Sequence, residues 1–414
     1  MDFVRQNGTV SSVHGFKSQL SKMKKDHWKG LFMLILAFIP GKVLKLINKN
    51  IWVVSEYENL ARDNGFCFFR FLREKHKDIK AYYPLKKSSP DYKDIVKYGN
   101  VIEFGSFFHY MLFWGAHIYS GTTKCYGFPY RRICEDLVQW KLTSFKYVFL
   151  NHGFTRGYSA IVDAHETNYQ LLVTCASLDS KIIINDNGQL ASKVKCLGYA
   201  RHDSLGDDIL NPKQILVMPT WRNWLGNQLI VSSDEYQDIK SKFLASEYYR
   251  VFNELLHDTQ LISMLEDKGF TLIFYLHEYA QKFSNLFSST SDAIVIGTTN
   301  KFNIQQLLKE SALLITDYSS VCYDFAYMYK PILYYQFDKE CFEAHQYNEG
   351  KWFNYEENGF GEIAYDQETL LNLLARYLNS GNIMPDKYKK RVDSFFAYHD
   401  HDNCKRIFDE ISRL

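Results

Sequence analysis

The chain has 414 residues, of which 46% are hydrophobic and 23% are charged, and its formal net charge is +2. This globular composition excludes an intrinsically disordered protein, and the length is too great for one ordinary core but suits two domains. A net charge so close to zero lacks the basic signature of a nucleic-acid-binding protein, so we expect no nucleic-acid partner.

The first 50 residues differ from the remainder in charge. They contain nine basic and two acidic residues, a local net charge of +7, and an apolar run of nine residues from Leu31 to Ile39. We expect Pro40-Gly41 to end this run, which makes it too short for a helix that spans a bilayer. Residues 1–50 are therefore predicted to form a basic amphipathic segment that docks on an anionic membrane surface. The alternative is a helix buried against the first domain with a solvated basic face.

The sequence also predicts where the protein resides. The first apolar run lies behind a polar leader, and no small-residue cleavage site follows it, so we expect no signal peptide. The eight cysteines are scattered and form no CxxC pair, which is typical of buried thiols in a reducing compartment. We expect a cytoplasmic protein, bound peripherally to the inner face of the cell membrane.

From residue 51 onward, short apolar runs rich in β-branched residues alternate with helical segments. The predicted strands are residues 51–55, 79–84, 101–104, 116–120, 147–150, 171–174, 195–197, 214–218, 271–276, 293–296, 312–316 and 331–335. A long helix is predicted at about 245–267, and the strand at 331–335 is the last one expected. Such alternation predicts an α/β fold with parallel, doubly wound sheets.

The pattern restarts after a boundary at 205–213, which indicates two Rossmann-like domains that face a central cleft. We assign 51–208 to an N-terminal Rossmann-like domain and 209–385 to a C-terminal one. Residues 386–414 are predicted to be helical and to cross back to the first domain.

Polar groups follow four of the predicted strands, where ligands bind in open parallel sheets. They are His152-Gly153, Thr220 with Arg222, His277, and the segment from Asp317 to Ser320. The last of these lies between an apolar strand ending at Thr316 and a helical segment. Unpaired backbone N–H groups and the helix dipole favour an anion there, so we predict a phosphate site; a plain N-cap is the alternative.

The other strand ends suggest complementary roles. His152, held in a turn that Gly153 allows to bend sharply, could take a proton from an acceptor hydroxyl, and His277 occupies an equivalent position in the second domain. Arg222 offers a fork of donors for phosphate oxygens. The alternatives are structural histidines and a surface ion pair for the arginine. The one D-x-D triplet, Asp400 to Asp402, is not at a strand end, so we expect no metal and no cofactor, and cationic stabilisation of the leaving group instead.

Several segments resemble one family. They are Ile304 to Val321 with the Asp317-Tyr318-Ser319-Ser320 centre, Asp324-Phe325-Ala326, Lys330 to Tyr335, Pro219-Thr220-Trp221-Arg222, Leu150 to Gly153, Leu276-His277, Ala61 to Gly65, and Leu197 to Asp203. Over about residues 50–385 the chain resembles the CDP-glycerol glycerophosphotransferases, the teichoic acid and capsule polyol-phosphate transferases. The resemblance implies a GT-B-type fold, in which 51–208 would be the acceptor-side domain and 209–385 the nucleotide-donor domain.

The resemblance also implies the reaction. A polyol phosphate, glycerol phosphate first and ribitol phosphate as the other choice, passes from a CDP-activated donor to a hydroxyl of a cell-surface glycan or lipid-linked acceptor, and CMP leaves. His152 would be the base, and His277 the second catalytic histidine. The donor's phosphates would lie against Gly153, Thr220, Arg222, Thr316, Asp317, Ser319 and Ser320, with Asp317 orienting the turn.

Two alternatives remain open from the sequence. A GT-B glycosyltransferase that uses a nucleotide sugar would share the fold and the phosphate-binding helix. A non-catalytic nucleotide-binding scaffold at the membrane would bind CDP but would not release CMP.

Overall fold

The computed structural model describes residues 25–206, 211–225, 233–346 and 352–414. Residues 1–24 of the basic segment, and residues 207–210 within the boundary predicted at 205–213, lie outside this range. The chain begins with a long helix, α1, Lys25–Ile47, and two parallel sheets follow.

The first sheet has the strand order β3-β2-β1-β4-β5-β6-β7, and neighbouring strands run parallel. Its strands are β1 Ile51–Ser55, β2 Lys80–Leu85, β3 Val101–Glu103, β4 Ile118–Gly121, β5 Lys146–Phe149, β6 Leu171–Thr174 and β7 Val194–Cys196. The helices in this part are α2 Asn64–Lys75, α3 Tyr92–Ile95, α4 Phe107–Gly115, α5 Arg131–Gln139 and α6 Ser177–Asn185, with 3₁₀ turns at Val96–Tyr98 and Ala200–Ser204.

The second sheet has the order β10-β9-β8-β11-β12-β13, again with parallel neighbours. Its strands are β8 Gln214–Val217, β9 Thr271–Tyr275, β10 Ile294–Gly297, β11 Leu313–Thr316, β12 Ile332–Tyr335 and β13 Gly361–Ala364. The helices are α7 Ser233–Leu244, α8 Glu247–Leu256, α9 Thr259–Lys268, α10 Ile304–Glu310, α11 Val321–Tyr327, α12 Lys339–His345, α13 Tyr355–Asn358, α14 Gln367–Asn379, α15 Asp386–Phe395 and α16 Asn403–Ile411, with 3₁₀ turns at Asn223–Leu225 and Glu278–Leu286.

Both sheets place their first strand beside their fourth, which is the order of a Rossmann sheet. Successive strands are therefore added in one direction across the sheet up to β3 and in the other from β4 onward, and likewise before and after β11 in the second sheet, so the strand order reverses between β1 and β4 and between β8 and β11. Ligands bind beyond the carboxyl ends of strands at such switch points. The predicted α/β architecture with two Rossmann-like sheets is confirmed, and Thr220 and Asp317 follow the two strands at the second switch point.

Apolar packing covers both faces of each sheet and continues between them. In β8, Ile215 packs in the core on one face of the sheet and Leu216 in the core on the other, as the two-residue strand period requires. Phe154, from the first half, packs on Tyr323 of α11 with ring centroids 4.6 Å apart. The last helix, α16, contributes Ile407 to the core beneath the first sheet.

Two details of the sequence-based secondary structure were wrong. The long helix expected at 245–267 is two helices, α8 and α9, because Asp258 caps a new helix by accepting the N–H of Leu261 at 2.9 Å. The strand at 331–335 is not the last, since β13 pairs with β12 at the edge of the second sheet.

The helix α1 contradicts the expected break at Pro40-Gly41. A proline removes only one backbone hydrogen bond, and the turns on either side of Pro40 are held by α4. The indole N–H of Trp114 donates to the Leu34 carbonyl at 2.9 Å, and Gly41 packs so closely that a Cβ would lie 2.6 Å from the Met111 carbonyl oxygen. By length and composition, the resulting 20-residue stretch Trp28–Ile47 could cross a membrane, so the prediction that the run is too short was wrong.

The two sides of α1 are both apolar, so the described part of this segment is not amphipathic as predicted. One side is buried against the first half of the chain along a stripe of Gly30, Leu34, Ala37 and Gly41. The opposite side is exposed and carries Trp28, Phe32, Ile35, Leu36, Phe38, Ile39, Val43, Leu46 and Ile47.

Candidate functional site

The turn after β5 fixes the backbone of His152. Asn151 is buried and adopts a positive φ of 63°, which asparagine tolerates better than most residues. Its side-chain oxygen accepts the N–H of His152 at 2.9 Å, and its backbone carbonyl accepts the side-chain amide of Asn64 at 2.8 Å. The chain therefore reverses sharply here and presents the His152 side chain beyond the end of the sheet.

The imidazole of His152 lies in a mixed electrostatic environment. Its side chain is exposed to solvent, yet enough protein surrounds it that desolvation lowers its pKa, and the charge of Arg201 lowers it further. The carboxylate of Asp63 and a hydrogen bond from the ring to the Thr122 backbone act in the opposite direction. A neutral, accessible imidazole of this kind can accept a proton near neutral pH.

A buried arginine connects His152 to the second half of the chain. Nη1 of Arg201 donates to Oδ1 of Asp63 at 2.7 Å and to the carbonyl of His152 at 2.9 Å. Nε donates to both carboxylate oxygens of Asp324, at 2.9 and 3.0 Å. Burial alone would raise the pKa of Asp324, but Arg201 and a hydrogen bond with His202 hold it below its usual value. Arg201 is therefore a charged link between β5's turn and α11.

The end of β11 is fixed by internal hydrogen bonds. The hydroxyl of Thr316 donates to the Met218 carbonyl at 2.7 Å. Asp317 is fully buried, and its Oδ1 accepts the backbone N–H groups of Thr220, at 2.8 Å, and of Tyr318. The strand ends at the switch point are thus fastened to each other, and neither the Thr316 hydroxyl nor the Asp317 carboxylate is aimed at a ligand.

Arg222 completes the same network from below the surface. Its side chain is fully buried and lies between Asp317, at 2.8 Å, and Asp338, which it contacts through Nε at 2.7 Å and Nη2 at 3.0 Å. A further donor bonds the Thr220 carbonyl at 2.6 Å. Burial would lower the guanidinium pKa, but the two carboxylates raise it above its ordinary value. This geometry fits a permanently charged structural residue. Most N–H donors of the guanidinium already bond protein oxygens, so few remain for the phosphates of a donor.

Two hydroxyls near the switch point, those of Ser320 and Thr220, do not take part in this hydrogen-bond network. Ser320 is exposed, stands at the start of α11 and makes no side-chain capping bond. Across the described ranges, the buried Oγ1 of Thr220 has no hydrogen-bond partner. A Cβ placed on Gly153 would lie 3.7 Å from Oγ of Ser320, so the turn that carries His152 meets the start of α11. Ser319, beside it, is buried.

His277 lies beyond the end of β9, next to β8 in the second sheet. It is half-buried, and desolvation lowers its pKa while the charge of Asp317 acts in the opposite direction. The second histidine therefore belongs to the same switch-point region as Thr220. Over the residues that the structure describes, no group of three or more His, Cys, Asp and Glu side chains is placed to hold a metal ion.

The structure thus divides the residues that sequence reasoning selected. Gly153, in the turn that carries His152, approaches Ser320 at the contact between the two halves of the chain, and His277 lies near Asp317 in the second half. Three other residues predicted to contact the donor's phosphates bond protein groups instead. They are Thr316, Asp317 and Arg222, whose hydrogen bonds hold the strand ends together.

Four network residues were not assigned a role from the sequence. Asp63, Arg201 and Asp324 lie inside segments that resemble the family, but the sequence did not show which residues they pair with. Asp324 follows Ser320 by one helical turn, and Asp338 follows β12. Their pairing across more than 100 residues of sequence is visible only in three dimensions.

Comparison with known proteins agrees with this geometry. A family model described as CDP-glycerol:poly(glycerophosphate) glycerophosphotransferase matches residues 37–413. The minor teichoic acid biosynthesis protein GgaB of Bacillus subtilis (strain 168) is 30% identical over 418 residues, which cover 100% of this chain and 45% of GgaB. The teichoic acid glycerol-phosphate primase of the same organism is 29% identical over 157 residues, 38% of each chain. The matches span less than half of these relatives' own lengths.

Solved structures show the same fold. A variant of the wall teichoic acid polymerase TagF soaked with CDPG has a TM-score of 0.61 at 15% identity, covering 95% of this chain and 98% of that one. A UDP-GlcNAc 2-epimerase from Neisseria meningitidis bound to UDP-GlcNAc has a TM-score of 0.52 at 10% identity, covering 88% and 100%. The fold is therefore GT-B-like. Because the family match extends over most of the described sheets and the switch-point residues, this chain belongs to the CDP-glycerol:poly(glycerophosphate) glycerophosphotransferase family.

Proposed function

We propose that this chain transfers a polyol phosphate, glycerol phosphate in the first instance, from a CDP-activated donor to a hydroxyl of a glycan or lipid-linked acceptor, in the synthesis of a teichoic-acid-like or capsule polymer. The observation that carries the proposal is the meeting of the His152 turn with Ser320. Gly153, the residue after His152, there approaches the Ser320 hydroxyl, which stands at a helix start in the second half of the chain and makes no side-chain capping bond.

On the acceptor side, His152 acts as the general base. The acceptor oxygen forms a bond to the β-phosphorus of the donor while its proton passes to the neutral imidazole. Asp63 stabilises the imidazolium that results, since its charge favours the protonated ring. Such a base contributes on the order of 10²–10⁴-fold to the rate.

On the donor side, the bond between the β-phosphorus and the bridging oxygen breaks, and CMP leaves. Ser319, Ser320, the Thr220 hydroxyl and His277 hold the phosphates and stabilise the developing charge. Arg222 and Asp317 act indirectly, because they fix the backbone of Thr220 and Tyr318. Positioning and electrostatic stabilisation dominate such a phosphoryl transfer.

A donor screen tests the proposal. The full chain is incubated with CDP-glycerol, CDP-ribitol and UDP-sugars in the presence of hydroxyl-bearing acceptors, and released nucleotides are separated. Acceptor-dependent release of CMP from a CDP-polyol is the expected result. Release of UDP would indicate a glycosyltransferase, and CDP binding without any release would indicate a scaffold.

The same proposal includes peripheral contact of α1 with an anionic membrane on the cytoplasmic side. The buried stripe of α1 packs on α4 from Leu34 to Gly41 and on Tyr130 at Gly30, so the helix cannot enter the bilayer centre without the domain, and its exposed apolar side suits the interface. Ile35→Glu with Ile39→Glu, at positions 63% and 71% exposed, should abolish co-sedimentation with vesicles. Unchanged co-sedimentation would contradict the contact.

A further inference from the structure

A basic cavity lies near the carboxyl-terminal end of α1, at the amino-terminal ends of β5 and β6 and thus at the end of the first sheet away from His152. It has a volume of about 350 Å³ and is lined by Lys141, Thr143, Ser144, Lys146, Asn168 and Gln170, together with apolar neighbours and no carboxylate. We call it the lysine pocket. Its lysines occupy the loop before β5 and the start of that strand, whereas the His152 turn follows the strand's other end. The pocket is therefore separate from the proposed reaction site.

Two more lysines reach this loop from α1. Nζ of Lys42 and Nζ of Lys45 lie 3.0 and 3.1 Å from the same hydroxyl oxygen of Ser144. Lys45 also donates to the carbonyls of Ala116 and Ser144, at 3.0 and 2.7 Å. All of these acceptors are neutral. Burial, with a smaller contribution from the charge of Lys42, lowers the pKa of Lys45 to about 8.

The placement of these lysines on α1 is informative. Successive residues of a helix are rotated by about 100°, which puts Lys42 and Lys45 between the buried stripe and the exposed apolar side. They stand at the border where an apolar helix face gives way to polar surface. Leu142, in the same loop as Lys141, is 58% exposed, so apolar and basic groups alternate at this border.

We infer that the lysine pocket binds the phosphate of an anionic phospholipid headgroup, while the exposed side of α1 enters the adjoining acyl region. Charge complementarity favours this occupant, because Lys141 and Lys146 line the pocket together with hydroxyls and amides but no carboxylate. Lys42 and Lys45 add positive charge beside it through their bonds to Ser144, which also lines the pocket. Continuity with the apolar face favours a lipid over a free anion. The inference rests on the membrane contact proposed above but assigns it a discrete headgroup site.

The test compares two double variants of the full chain. Lys141→Ala with Lys146→Ala removes two exposed side chains that line the pocket, and Lys93→Ala with Lys97→Ala removes two exposed lysines near edge strand β3, with the same change in net charge. Binding is measured to vesicles of phosphatidylcholine alone and of phosphatidylcholine mixed with phosphatidylglycerol. Circular dichroism verifies that both variants are folded.

The wild type should prefer the mixed vesicles. The pocket variant should bind them about 30-fold more weakly, the effect expected for two basic residues at an anionic surface, and the control variant should lose less than about threefold. Equal losses in both variants would show diffuse attraction and overturn the inference. Equal binding of the wild type to both vesicles would leave the membrane contact standing but refute the pocket, and no binding to either would refute both.

A soluble probe identifies the ligand. Short-chain phosphatidylglycerol, kept below its micelle-forming concentration, should bind the wild type and not the pocket variant in calorimetry. Inorganic phosphate that binds equally well would reassign the cavity to a free anion. CMP release from CDP-glycerol in the presence of a soluble acceptor should be unaffected by Lys141→Ala with Lys146→Ala, so the outcome is independent of the proposed reaction.

Discussion

Replacement of Arg222 by methionine should impair stability far more than it impairs nucleotide binding. The guanidinium is fully buried between two carboxylates that are themselves buried, Asp317 and Asp338. Removing one partner of a buried ion pair leaves an uncompensated charge and costs about 3–5 kcal/mol. That is a large fraction of the roughly 5–15 kcal/mol by which folded domains are stable. The assay is urea denaturation followed by fluorescence, to which the adjacent Trp221 contributes.

An exposed arginine provides the matched control. Arg250 on α8 also contacts two carboxylates, Glu247 and Glu254, but its side chain is 57% exposed. Arg250→Met should therefore change the free energy of unfolding by no more than about 0.5 kcal/mol. Arg222→Met combined with Asp317→Asn and Asp338→Asn should recover part of the loss, because the orphaned charges are gone. The reasoning is refuted if Arg222→Met unfolds within about 1 kcal/mol of the wild type while its CDP affinity collapses, since Arg222 would then be a phosphate ligand.

Three further results are expected. Asp63→Asn keeps the helix cap but removes a negative charge beside His152, so the pKa of His152 should fall. The acidic limb of the pH profile of kcat/KM should then move to lower pH. A limb that does not move would argue against Asp63 as the residue that raises the pKa of the base. Ser320→Ala should weaken CDP binding in calorimetry by several-fold without loss of stability, because this hydroxyl is exposed and makes no capping bond, and unchanged affinity would remove it from the donor site. Gly41→Ala brings a Cβ to within 2.6 Å of α4, so α1 should shift at a cost of about 1–3 kcal/mol in stability. Limited proteolysis should then cleave α1 faster than in the wild type. Gly157→Ala is the control, because the space around Gly157 is open, and it should behave like the wild type.

The architecture could be predicted from the sequence because most strands are apolar runs followed closely by polar residues. The edge strand β13, Gly361–Ala364, escaped because it has a single large apolar residue, Ile363, and begins with glycine. Glycine is required there, since a Cβ on Gly361 would lie 1.9 Å from the Ile332 carbonyl oxygen of the paired strand. Such a steric constraint leaves no hydrophobic pattern to read.

The candidate site was readable in part for a related reason. Strand order brings the carboxyl ends of β8, β9 and β11 together, so residues at these ends could be grouped before the structure was known. Whether a polar side chain faces a ligand or a protein partner depends on residues far along the chain. From the sequence, the guanidinium of Arg222 was predicted to bind phosphate oxygens. In the structure it donates to the carboxylate of Asp338, which lies 116 positions away. The continuous helix α1 was missed similarly, because the contacts that hold the turns around Pro40 come from α4.

The most direct test of the proposed reaction is CMP release by His152→Ala in the full chain, measured with CDP-glycerol and a hydroxyl-bearing acceptor beside calorimetric binding of CDP. The turn that carries His152 is fixed by backbone and asparagine contacts that the substitution leaves in place. We predict that acceptor-dependent CMP release falls by at least about 100-fold while the CDP dissociation constant stays within about twofold of the wild type. CMP release at the wild-type rate, or a loss of CDP affinity that accounts for the whole defect, would contradict the role of His152 as the base.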